Sequence, residues 1–124
     1  MTKEFEDSGG VWKLYKVEEI FTIATPKRKF NANTLTFNGV YPYVARGDKN
    51  NGVRGYITED SQYLNPAKTI SFGQDTATMF YQKDAYFTGD KIKIFSFLHG
   101  ELSPSTAQFI ITAMKKSFSN FTWG

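Results

Sequence analysis

The sequence predicts an α+β fold in a single domain. Three observations carry that prediction. Short runs rich in β-branched and aromatic residues recur along the chain, each closed by Gly, Asn, Asp or Pro, which is the punctuation of strands and turns. An amphipathic helix lies near the C-terminal end, and a shorter helical pattern lies near the N-terminal end. The 124 residues suit one domain, and 40% hydrophobic with 17% aromatic residues can build a sizeable core.

Taken in order, residues 1–10 are polar and acidic, unlike a signal peptide, and are expected to be a disordered lead-in to a domain spanning 11–124. Trp12 should be buried. Leu14, Val17, Ile20 and Phe21 recur near helical spacing, which predicts a short helix over 15–20. Pro26 then breaks any helix, and Lys27, Arg28 and Lys29 form a basic triplet. Residues 34–37 alternate as a short strand, and 40–45 read as the next. Pro42 inside that run favours a sheet edge or the start of a ladder. Residues 53–57 read as its hairpin partner, and Asn51-Gly52 is a strong turn pair because both residues tolerate positive φ.

Further strands are expected over 69–72, 78–82 and 92–98, with a loop over 84–90 that holds Tyr86 and Phe87. In the last strand Ile92, Ile94, Phe95 and Phe97 predict deep burial. Ser103-Pro104 then starts the clearest helix, Ser as N-cap and Pro at the first helical position. Ala107, Ile110, Ile111, Met114 and Phe118 form one apolar stripe, and Lys115 and Lys116 complement the helix dipole.

Charge and chemistry narrow the function. Lys and Arg number 15 against 12 Asp and Glu, a net charge of +3, which mildly favours a polyanionic partner. There is no cysteine, hence no disulfide framework or thiolate metal site, which fits an intracellular protein, although cysteine-free secreted bacterial proteins also exist. No apolar run reaches the length of a membrane span. The single histidine, His99, has no partners at metal-ligand spacing and reads as a surface turn residue. No Gly-rich phosphate loop, nucleophile elbow or paired carboxylates stand out. Residues 65–68 lack the aromatic of an amino-methyltransferase motif, and 90–93 lack the acidic-x-Lys triplet of metal-dependent nucleases. The expectation is a protein that is not an enzyme and takes no cofactor.

The hairpin 39–57 and its loop stand out instead. Arg46, Lys49, Asn50, Asn51 and Arg54 cluster there, side chains that donate to phosphates and base edges. A plain polar hairpin is the bland alternative, as is a structural pair between Arg54 and Asp48.

An ordered set of motifs then resembles a known family. A Trp-led start over 12–23 and a basic segment precede Gly-Val-Tyr-Pro-Tyr-Val at 39–44 and Asn-Gly-Val-Arg-Gly-Tyr-Ile at 51–57. Thr-Ile-Ser-Phe-Gly at 69–73, Met-Phe-Tyr-Gln at 79–82 and Phe-Thr-Gly-Asp at 87–90 follow, before the apolar strand and the helix. The set resembles the target-recognition domain of type I restriction–modification specificity subunits, and of the related type IIB/IIG subunits. The resemblance implies sequence-specific recognition of double-stranded DNA without catalysis, in a prokaryotic cytoplasm, directing methyltransferase and endonuclease subunits. It implies a double-β-helix-like winding of the short strands. The family's subunits carry two such domains joined by long helices. Within these 124 residues there is one domain and no spacer helix, which leaves a fragment, a self-associating half-subunit or a stand-alone derivative open.

Under this reading the DNA-contacting residues are Lys27, Arg28, Lys29, Arg46, Lys49, Asn50, Asn51, Arg54, Gln74, Thr76 and Gln82. Arg reads guanine, Asn and Gln read adenine, and Lys and Thr hold phosphates. Tyr41, Tyr43, Phe80 and Tyr81 are expected to pack rather than stack on bases. Two other classes compete: an interaction or inhibitor protein derived from such a domain, of anti-restriction type, and a carbohydrate-binding β module.

Overall fold

The computed structural model describes residues 19–47, 49–74 and 78–118, and for residues 117–118 the backbone only. The expected lead-in, Trp12, most of the short helix, Asp48, Thr76 and the aromatic end lie outside the described residues. Glu19 and Ile20 are helical, and Ile20 is buried.

Seven strands and one long helix follow among the described residues: β1 (Phe21–Ala24), β2 (Tyr41–Val44), β3 (Val53–Ile57), β4 (Thr69–Gly73), β5 (Thr78–Gln82), β6 (Phe87–Thr88), β7 (Ile92–Phe97) and α1 (Pro104–Phe118). They form two open sheets. One has four strands in the order β1-β7-β4-β5, all antiparallel; the other has three in the order β3-β2-β6. β2 pairs antiparallel with β3 and parallel with β6.

Helix α1 begins as its sequence predicts. Ser103 Oγ accepts from the Thr106 N–H at 3.2 Å, satisfying a donor that the first turn leaves without an intrahelical partner. The stripe Ala107, Ile110, Ile111 and Met114 packs on the four-stranded sheet against Phe21, Ile70, Met79 and Phe95. Strand alternation explains both faces of that sheet. Phe95 faces the helix, while its neighbour Ile94 packs with Val44 and Tyr86 at the seam between the two sheets. On β4 and β5, Ile70, Met79 and Tyr81 pack on the helix side. Their neighbours Ser71, Phe80 and Gln82 therefore occupy the other side, which supports the β2–β3 hairpin.

Three expectations are corrected. Residues 34–37 do not form a strand. Asn31 caps a 3-10 turn over Ala32–Thr34, its side chain accepting from the Asn33 N–H at 2.9 Å, so local capping outcompetes extension. Residues 84–90 are not simply a loop. Tyr86 and Phe87 are fully buried, and the two residues of β6 pair with β2. A two-residue strand has no periodicity to read, and its parallel partner lies far back in the chain. Leu98 falls outside β7 and is half exposed.

Pro42 is not at a sheet edge: it lies in the central strand, inside the β2–β3 ladder, and is accommodated because β6 does not pair at its position. It pairs with Tyr56 of β3, whereas the β6 pairing begins only at Tyr43. Gly39 is required by contact: a Cβ there would lie 2.0 Å from the Ile57 carbonyl carbon.

Candidate functional site

The hairpin loop is held in an uncommon backbone conformation. Asn50, Asn51 and Gly52 all have positive φ, at 53°, 59° and 77°. Asparagine and glycine are the residues that enter this region most readily. Gly52 is also confined, since a Cβ would meet the Phe80 ring at 3.0 Å. The Gly52 N–H donates to the Lys49 carbonyl at 2.9 Å, and its own carbonyl accepts from the Ala45 N–H at 2.9 Å.

This loop forms one wall of an open groove of roughly 790 Å³. The groove brings together Lys29, Arg46, Lys49, Asn50 and Arg54 from the predicted set, drawn from two separate segments. Tyr43 lines its floor, with its hydroxyl donating to the Phe30 carbonyl at 2.6 Å. Burial pushes the Tyr43 phenol above its ordinary value, with the Arg54 charge pulling the other way. Among the described residues the lining carries four cationic side chains against one carboxylate, Asp90.

Asp90 is a counter-ion that no local pattern announces. It lies 3.5 Å from Lys29 Nζ. Desolvation pushes its carboxyl up, but the hydrogen bonds from Lys91 and Lys29 and their charges outweigh it, so it titrates below its ordinary range. The Lys29–Asp90 pair is exposed and adds little stability. Its effect is to lower the positive potential of that wall.

The basic triplet does not line the groove as one set. Lys27 is anchored through its backbone N–H to Asn65 Oδ1 at 3.1 Å. The Arg28 guanidinium lies 5.1 Å from the Phe30 ring centre and 5.2 Å from that of Tyr63. Lys29 alone of the three lines the groove.

A second, smaller groove flanks the other side of the hairpin, with Asn50 and Arg54 common to both. It holds Asn51, Gln82 and Lys83, a lysine that sequence reasoning missed although it directly follows a chosen residue. Gln82 itself faces inward. It is 3% exposed, and its amide nitrogen donates to the Asn51 carbonyl at 2.9 Å and to Ser71 Oγ at 3.1 Å. A buried amide committed in this way is not displayed to a base edge. Gln74 is exposed at the end of β4, its N–H donating to the Lys91 carbonyl at 3.0 Å, apart from both groove linings. Tyr43 is buried, and Tyr41 and Tyr81 pack against the cores.

His99 is exposed, with Nε2 3.1 Å from the Glu19 carbonyl. Among the described residues no three His, Cys, Asp or Glu side chains gather as metal ligands. No helix among them is long and apolar enough to cross a membrane.

Fold and groove together describe a small α+β domain that presents cationic and amide side chains on a hairpin beside an open cleft. The chain belongs to the family described as the type I restriction modification DNA specificity domain, whose sequence model matches residues 10–124. Its fold is similar to the crystal structure of the type I restriction-modification system S subunit from M. genitalium, with a TM-score of 0.59 at 17% sequence identity. That similarity covers 95% of this chain and 34% of the subunit, so the chain spans about a third of its length. No curated protein matches the chain at a significant level.

Proposed function

We propose that this chain is a non-catalytic, sequence-specific reader of double-stranded DNA within a restriction–modification system. The carrying observation is the groove in which Lys29, Arg46, Lys49, Asn50 and Arg54 converge on one side of a protruding hairpin. A cationic wall suits phosphates, and an amide and a guanidinium at the hairpin suit base edges. Lys27, Arg28 and Gln74 are assigned to the periphery of this interface, and Thr76 remains a proposed phosphate contact.

In this reading the chain works in a prokaryotic cytoplasm and directs methyltransferase and endonuclease subunits to a site. Family membership supports that assignment. A second copy of the domain, or further recognition sequence, completes a two-part reader. We also assign the short-strand half the double-β-helix-like winding expected of the family. The parallel pairing of β2 with β6 and the parallel bridge from Lys29 to Thr88 support it, because parallel neighbours need the chain to wind round rather than turn back.

The test has two arms. The full chain is titrated with duplexes selected from a random pool, at two salt concentrations, and methylated motifs are mapped in cells with and without its gene. Salt-sensitive, sequence-selective binding and the loss of one methylated motif are expected. Absence of binding to any duplex at low salt would overturn the reading.

A further inference from the structure

We propose that Gln82 and Asn51 are positioning residues that lock the hairpin loop in its DNA-reading shape, and so set sequence selectivity without touching a base. This rests on the DNA-reading function proposed above.

Two bonds tie the loop to β5. Asn51 Nδ2 donates to the Tyr81 carbonyl at 2.8 Å, and Gln82 Nε2 donates to the Asn51 carbonyl at 2.9 Å. They join residues 30 and 31 positions apart, so they brace the hairpin against a different sheet. The Gln82 amide is itself steadied by Ser71, whose hydroxyl donates to the Phe80 carbonyl at 3.3 Å. Beneath the loop, Phe80 closes on Gly52.

The brace has a conformational task. Asn50 and Asn51 sit in the left-handed region, which is disfavoured for residues with a Cβ and is held only where surrounding contacts enforce it. A loop free to leave that region would move Lys49, Asn50 and Arg46 relative to Arg54. Base reading depends on fixed donor geometry, whereas phosphate attraction tolerates movement. Ordering the loop before binding also lowers the entropy lost on association. Releasing the brace should therefore reduce discrimination and leave the general electrostatic attraction in place.

Gln82→Met removes both donors with little change of volume, and Asn51→Ala removes the other donor on an exposed residue without adding charge. Each full-length variant is compared with wild type by amide hydrogen exchange over residues 46–52. Each is also titrated with a duplex selected by wild type from a random pool, and with a scrambled duplex, at two salt concentrations and below the melting transition. The expected result is faster exchange in the loop, a loss of about tenfold in the ratio of selected to scrambled affinity, and an unchanged salt slope. A merely structural role would lower the melting temperature and leave that ratio alone. If wild type selects a duplex and both variants discriminate equally well, or loop exchange is unchanged, this inference falls and the DNA reading stands. If wild type binds no duplex, both fall.

Discussion

The phenol of Tyr43 donates to the backbone carbonyl of Phe30 at 2.6 Å, joining β2 to the segment that carries Lys29. The bond ties the groove floor to that segment, and the Phe30 carbonyl accepts from this one side chain. Tyr43→Phe should cost about 1–3 kcal/mol, the range for a buried acceptor left without its donor. Urea denaturation reads this as a lower midpoint at unchanged slope. An unmoved midpoint would show that the carbonyl finds another donor.

Alkaline pH should destabilise the fold through two phenols. Burial raises both Tyr43 and Tyr86 above the ordinary 10.0, Tyr86 more strongly despite its hydrogen bond with Thr69. A raised phenol keeps its proton longer when folded, so the unfolded chain deprotonates first. The associated stability is complete below pH 10 and is lost as pH rises from there through the raised folded values. Tyr86→Phe should flatten this alkaline limb. Melting curves against pH, followed together with tyrosinate absorbance, measure it.

Asp90→Asn should strengthen binding to selected and scrambled duplexes alike, because it removes the carboxylate beside Lys29. If Lys29 then engages one phosphate, the salt slope steepens by about 0.9. A change in which duplex is preferred would instead place Asp90 at a base.

Ile111→Ala should cost about 2–5 kcal/mol, as for other large-to-small changes in packed cores. The side chain is 3% exposed and sits between α1 and the four-stranded sheet. An unchanged melting temperature would contradict that packing.

Thr88→Val should be neutral or stabilising, by up to about 1 kcal/mol. The Thr88 hydroxyl is fully buried, with no hydrogen-bond partner among the described residues. An unpaired buried hydroxyl is unfavourable, and valine keeps the shape without it. A clear loss of stability on thermal melting would reveal a partner for the hydroxyl.

Local physics made much of the fold legible from residues alone. The cap, the proline and the apolar stripe specify α1 within one segment, because each acts over a helical turn or two. The 40–57 hairpin was legible for the same reason: strand-forming runs flank an Asn-Gly pair whose positive φ values are those the turn needs. The ordered motifs over 12–118 also carried the family resemblance, which the family match over 10–124 establishes.

Tertiary structure decided how those pieces meet. The sequence by itself marked Gln82 only as an amide on a strand; the fold turned it inward onto Asn51, 31 residues away. It marked Lys27, Arg28 and Lys29 as one charge cluster; the fold tied the backbone of the first to Asn65, set the second against two rings and left the third facing Asp90. It showed Tyr86 and Phe87 as a loop pair, whereas the fold buried Tyr86 between the two sheets and Phe87 against Phe30, Tyr43 and Ile57. Propensity and capping act between near neighbours and can be read along the chain. Burial and pairing depend on which distant segments pack together, and only the folded chain specifies them.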